Sequence, residues 1–61
     1  MTPIYELELQ VRPYNVLMRE GYEYIEQIEQ MTMEQLCNLP YMGIIGAINV
    51  LSLVYQWRIE R

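Results

Sequence analysis

The spacing of apolar residues along the chain predicts helices joined by short turns. From residue 11 to residue 20 the apolar positions recur every three or four residues, as in a helix with one buried face. Pro13 fits the first turn of this helix, where its missing N–H costs no hydrogen bond, and Gly21 suits the end. We predict a first helix over 11–20 whose inward stripe consists of Val11, Tyr14, Leu17 and Met18.

Two further short helices and one long helix follow. Thr32 is placed to cap a helix, because its hydroxyl can accept an N–H group of the first turn. A tight turn from Pro40 to Gly43 precedes the last helix, and residues 1–9 read as an extended arm with no strand to pair with. The pattern predicts an all-α fold, a compact bundle of four short helices behind this arm, with helices over about 11–20, 24–30, 33–38 and 44–57.

The composition limits both the size and the chemistry of the protein. The 61 residues are enough for one small domain. With one cysteine, Cys37, and no histidine, an intrachain disulfide and a zinc site are excluded. Aspartate and lysine are also absent, so acid–base and nucleophilic mechanisms lack their usual members. We expect no enzyme, no cofactor and no small-molecule substrate.

The charge and hydropathy patterns bear on partners and location. Eight glutamates and four arginines give a net charge of −4, which should repel DNA at long range. No secretory signal is visible, and the longest apolar stretch, about 42–55, is too short to span a bilayer. We therefore expect a cytoplasmic protein without a membrane partner, with Cys37 reduced.

Two motifs carry a resemblance to a known family. The first is Leu-acid-Leu-x-Val-Arg-x-x-Asn-x-Leu with a glycine at the helix end, and the second is a threonine, a leucine and a hairpin glycine. The matching positions are Leu7, Glu8, Leu9, Val11, Arg12, Asn15, Leu17 and Gly21, then Thr32, Leu36 and Gly43. In these residues the protein resembles the C-terminal domain of the bacterial RNA polymerase alpha subunit. The resemblance implies a four-helix bundle that contains a helix-hairpin-helix.

The resemblance also implies binding to the minor groove of A·T-rich DNA. In the family an arginine at the start of the first helix enters the groove, an asparagine one turn later assists, and the hairpin glycine helps to hold phosphates. Where the family usually has two basic residues and a serine after that glycine, this protein has two isoleucines and Gly46. The N–H of Gly46 at a helix start remains available to an anion. We predict weak or lost DNA binding through Arg12, Asn15, Gly43 and Gly46.

Each of these residues also has a simpler interpretation. Arg12 would then be an exposed arginine that pairs with Glu8 or another acid, and Asn15 a surface residue bonded to water or backbone. Glu6 and Glu8 lie where the family has acidic residues that face other transcription proteins. In the simpler interpretation, these two glutamates belong to an acidic arm that is exposed to solvent. Both interpretations of each residue are open at this point.

The last helix predicts a protein interface. It has no charged residue from Ile44 to Trp57 and is apolar nearly all round, which a protein of this size cannot cover by itself. The alternative is that the N-terminal arm and the C-terminal tail fold over it. We predict an interface, most simply that of a homodimer, formed by Ile44, Ile45, Val50, Leu53 and Trp57.

These features predict a bacterial, transcription-related interaction module. It would act by self-association or by docking a transcription protein, with DNA binding weakened. The alternative function is a minor-groove A·T-rich DNA-binding domain of the helix-hairpin-helix type, as in RNA polymerase alpha. The sequence leaves open whether the partner is a second copy or another protein.

Overall fold

A computed structural model describes all 61 residues and contains five helical segments. A 3-10 helix spans Ile4–Leu7, followed by α1 (Val11–Arg19), α2 (Ile25–Ile28), α3 (Met33–Cys37) and α4 (Gly43–Glu60). There is no strand, only an isolated bridge between Pro3 and Tyr24. The predicted all-α bundle is confirmed. None of the helices is long and apolar enough to cross a membrane.

The central element of the bundle is α4, against which α1 and α3 pack. Its 18 residues make it far longer than the other helices, and it continues to Glu60, past the predicted end at Trp57. One side of α4 is buried, and its side chains share a single core with buried side chains of every other element. The core consists of Ile4, Leu7, Val16, Leu17, Ile25, Ile28, Leu36, Met42, Ala47, Val50 and Val54.

The N-terminal segment is not the extended arm that the sequence predicted. Ile4 and Leu7 are buried in the core, because the 3-10 turn places residues three apart on the same side. Its backbone is joined to the start of α2. The N–H of Ile4 donates to the carbonyl of Glu23 at 3.0 Å, and the N–H of Ile25 donates to that of Thr2 at 2.8 Å. Residues 1–9 are thus an integral part of the fold.

The first helix is rotated relative to the sequence prediction. Val11 is 75% exposed, whereas Pro13, Val16 and Leu17 are buried. Pro13 packs on α4 at Gly46, where an added Cβ would be in ordinary van der Waals contact with the Cβ of Pro13, at 3.6 Å. Because Pro13 lies on the buried side of the helix, Val11, two residues earlier, is turned to the surface.

Two local features shape the helical hairpin of α3 and α4, namely the cap at the start of α3 and the turn that precedes α4. At the start of α3, the Thr32 hydroxyl accepts from the N–H of Gln35 at 3.1 Å, and the Gln35 side chain accepts from the N–H of Thr32 at 2.9 Å. This reciprocal pair satisfies two N–H groups. In the turn, Tyr41 and Gly43 have φ angles of 70° and 71°. Such angles favour glycine, so Gly43 suits the position where the backbone reverses.

A hydrogen-bonded carboxylate joins the N-terminus to α2. The N–H and the hydroxyl of Thr2 each donate to a carboxylate oxygen of Glu26 at 2.9 Å. These bonds, the backbone N–H first among them, favour the charged form and lower the pKa of Glu26 from its ordinary value of 4.5. The stabilisation is complete above that ordinary value and is lost as the pH falls through the lowered pKa of the folded state.

We expect Glu26→Gln to be less stable than the unchanged protein near neutral pH, and the difference to shrink in acid. The difference in the free energy of unfolding should be full at about pH 6 and smaller at about pH 3, because the wild-type carboxylate becomes protonated as the pH falls through its lowered pKa. Urea unfolding at both pH values measures it. The matched control is Glu20→Gln, which alters an exposed carboxylate at the end of α1. An equal loss for Glu26→Gln at both pH values would contradict this account.

Candidate DNA and protein contact surfaces

The two residues predicted to contact DNA on α1 lie on one exposed face, together with a second arginine. Arg12, Asn15 and Arg19 are spaced three and four residues apart, so that they follow one side of the helix. They line a surface depression with Tyr41 of the hairpin. The Arg19 guanidinium lies 5.6 Å from the centre of the Tyr41 ring, within the range of a cation–π contact. These four residues and Gly43 form what we call the DNA-contact surface.

Arg12 connects this depression to a second one at the start of α4. The second depression is lined by Arg12 and by residues of the hairpin, including Gly43. The start of α1 is held in place by α4, because the side-chain oxygen of Asn49 accepts from the N–H of Gln10 at 3.0 Å. This contact joins the N-cap residue of α1 to α4 and thereby orients the turn that carries Arg12.

The positive charge of the DNA-contact surface is not neutralised within the protein. The ion pair of the structure joins Arg58 to Glu29 at 3.3 Å, and no acid lies within pairing distance of Arg12 or Arg19. The predicted alternative, a pair between Arg12 and Glu8, is therefore absent. No glutamate lines either depression. The surface carries +2 and the rest of the protein, with two arginines and eight glutamates, carries −6.

The two predicted glycines differ in position. Gly43 is exposed in the turn beside Arg12. Gly46 is buried one turn further on, where an added Cβ would lie 3.1 Å from the sulfur of Met42. The packing of Met42 against this position gives a structural reason for the glycine. The binding of an anion by the N–H of Gly46 stays a prediction.

The structure brings the predicted acidic residues together with two of the predicted interface residues. Glu6 and Glu8 line a groove whose other wall is formed by α4, including Leu53, Trp57 and Glu60. Trp57 is half-buried, and the guanidinium of Arg61 lies 4.7 Å from the centre of its ring. We call this the acidic groove. It combines three carboxylates with a large aromatic side chain.

The other predicted interface residues separate into two groups. Ile44 and Ile45 are 66% and 77% exposed. Val50 is fully buried, so its assignment to an interface is corrected. The reason is geometric, since Val50 lies on the side of α4 that meets α1 and α3, whereas the isoleucines lie on the other sides. The predicted interface is therefore not one continuous surface.

Arg19 and Tyr41 were missed by the sequence analysis. The spacing of Arg19 from Arg12 and Asn15, at seven and four residues, was a signal that these side chains share a helix face. The position of Tyr41 beside Arg19 had no sequence signal, because it depends on how the hairpin folds back onto α1. No three His, Cys, Asp or Glu side chains, those of the acidic groove included, are placed so that they could hold one metal ion.

Comparisons with known proteins agree with the motifs. The model of the family described as the C-terminal domain of the bacterial RNA polymerase alpha chain matches residues 1–44. Over 55 residues the protein is 50% identical to the DNA-directed RNA polymerase subunit alpha of Rubrobacter xylanophilus, a match that covers 90% of this protein and 18% of that relative. The protein thus spans less than a fifth of the curated relative's length. No solved structure matches it. On the family match and this identity, the protein belongs to the family of C-terminal domains of the bacterial RNA polymerase alpha subunit.

Proposed function

We propose that this protein is a transcription-related interaction module that docks a basic surface of a transcription protein in the acidic groove. The observation that carries the proposal is the joining of Glu6 and Glu8 to Trp57 in one groove. In the family, acidic residues at the positions of Glu6 and Glu8 face other transcription proteins. The partner and the cytoplasmic location that this role implies are part of the proposal.

The groove has the chemistry of a site for a basic segment. Three carboxylates attract arginine or lysine, and a tryptophan ring binds a guanidinium on its face. Arg61 already lies over Trp57 in this way, so a partner's arginine would take the same position when Arg61 moves aside. Trp57 is the kind of half-buried aromatic residue that anchors interfaces. The carboxylates should therefore attract a basic partner over a distance, and the Trp57 ring should select an arginine side chain on contact.

Binding to a bacterial RNA polymerase holoenzyme tests the proposal. The polymerase of Rubrobacter xylanophilus is the appropriate probe, since its alpha subunit is the relative described above. We expect salt-sensitive binding that weakens at least about tenfold in Glu6→Gln/Glu8→Gln, because two charges of the groove are removed. Biolayer interferometry with immobilised protein measures the dissociation constant.

A matched control separates the groove from the overall charge. Glu20→Gln/Glu23→Gln also removes two negative charges, but from exposed positions outside the groove, and should bind like the unchanged protein. If both double variants bind equally well, or the unchanged protein does not bind at all, the proposed docking site is wrong.

The second candidate function is binding to A·T-rich DNA through the DNA-contact surface. It is favoured by the unpaired charges of Arg12 and Arg19 beside two acid-free depressions. An arginine fits a narrow minor groove, whose potential is strongly negative. The net charge of −4 and the isoleucines after Gly43 limit the affinity. We propose a weak contact that adds to protein docking.

Titration of a labelled A·T-rich duplex at low salt tests this contact. We expect Arg12→Ala/Arg19→Ala to weaken binding by about tenfold or more, since two phosphate or groove contacts are lost. Arg61→Ala is the control for loss of positive charge outside this surface, because it removes one charge at the far end of α4. Fluorescence anisotropy gives the affinities. The absence of salt-sensitive binding, or equal losses in the control, would remove DNA from the function.

A further inference from the structure

An uncovered apolar face runs along the whole length of α4. We call it the α4 stripe and define it by Ile44, Ile48, Leu51, Tyr55 and Ile59. At 3.6 residues per turn these positions fall within an arc of about 80°, on the side of α4 away from Val50. Leu51 is half-buried, and the other four side chains are 47% to 66% exposed. The first of them is also the last residue of the family match, so most of the stripe lies beyond it.

The positions along the stripe are symmetric about the middle of the helix. With Ser52 included, the positions are 44, 48, 51, 52, 55 and 59, and their spacings read the same from either end. A second copy of α4 laid antiparallel would therefore place Ile44 opposite Ile59. Ile48 would lie opposite Tyr55. In these two pairs each apolar side chain would meet another, and Leu51 and Ser52 would lie beside the two-fold axis.

The area and charge of the stripe also fit a second copy. With Ile45 at its edge, its exposed side chains offer roughly 600 Å², at about 200 Å² for each fully exposed side chain. A standard interface buries about 800 Å² per partner, so the stripe supplies most of one. No charged residue lies between Gly43 and Trp57, so pairing would bury no charge. The antiparallel direction also opposes the two helix dipoles and separates Arg58 from its copy.

From this symmetry we infer that the protein forms a two-fold homodimer through antiparallel pairing of the α4 stripes. The interface is distinct from the acidic groove and extends the proposed function by naming a second partner. Because each protomer has a net charge of −4, added salt should strengthen the dimer by screening repulsion. Salt should weaken the docking of a basic partner in the groove. Because salt changes the two affinities in opposite directions, a failure of the dimer proposal can be told apart from a failure of the docking proposal.

Light scattering across a dilution series of the 61-residue protein tests the dimer. We expect a concentration-dependent dimer whose dissociation constant rises at least about tenfold in Ile48→Glu, because two unpaired carboxylates would be buried. Ile59→Glu, at a more exposed position, should do the same if the first variant folds poorly, and circular dichroism monitors folding. Gln30→Glu adds the same charge at an exposed position outside α4 and should leave the dimer unchanged. A monomer at every concentration, or a dimer that resists both stripe variants, would overturn the inference.

Disulfide crosslinking tests the antiparallel direction. In a Cys37→Ala background, Ile44→Cys/Ile59→Cys should form a covalent dimer on oxidation. The two cysteines of one protomer, 15 residues or about 22 Å apart on a helix, cannot meet each other. Ile44→Cys alone should remain uncrosslinked. Efficient crosslinking of that single variant would indicate parallel packing and would overturn the two-fold antiparallel arrangement.

Discussion

Val50→Asp is expected to unfold the protein. Val50 is fully buried against the helices that pack on α4, and the structure offers no basic group beside it in the core. A buried, unpaired carboxylate costs several kcal/mol, and a protein of this length has a stability of only about 3–9 kcal/mol. Loss of the helical circular dichroism signal, or of a cooperative thermal transition, measures the effect.

The control for Val50→Asp is the same replacement at Ile45, five residues earlier on α4. Ile45 is 77% exposed, so its aspartate stays in water, and a negative charge in the first turn of a helix is favourable. Ile45→Asp should change the free energy of unfolding by no more than about 0.5 kcal/mol. If the two variants are equally stable, the orientation of α4 described above is wrong.

Ile4→Ala is expected to destabilise the protein by about 2–5 kcal/mol, which is the usual cost of removing a large apolar side chain from a core. Ile4 is fully buried although it lies only three residues from the first. The loss should appear as a shift of the urea midpoint with an unchanged slope. The effect is large because a small domain has few core residues and each carries a large share of the stability.

Tyr5→Ala is the matched control for Ile4→Ala. Tyr5 is in the same 3-10 helix and is 65% exposed, so its removal should cost no more than about 0.5 kcal/mol. A small effect of Ile4→Ala, equal to that of Tyr5→Ala, would mean that the N-terminal segment is a dispensable arm and not part of the core.

The candidate surfaces were partly predictable because residues close in sequence stay close on a helix. Their spacing along α1 placed Arg12 and Asn15 on one face, and the same spacing also places Arg19 there. The glutamates and the α4 residues of the acidic groove were predicted as contact residues, but the sequence did not predict that they lie together. Glu8 and Trp57 are 49 residues apart in the sequence, and their proximity depends on how the N-terminal segment packs along α4. No local pattern carries that information.

By itself the sequence determined the helical class, the starts of the four α-helices to within one residue, and the family. These depend on local physics, namely apolar spacing, the Thr32 cap and the Gly43 turn, together with motifs that survive in the residue order. Only the tertiary structure decided which side of each helix is buried. Because α4 is apolar nearly all round, its periodicity could not choose between Val50 and Ile48, and the packing of α1, α3 and the N-terminal segment made that choice.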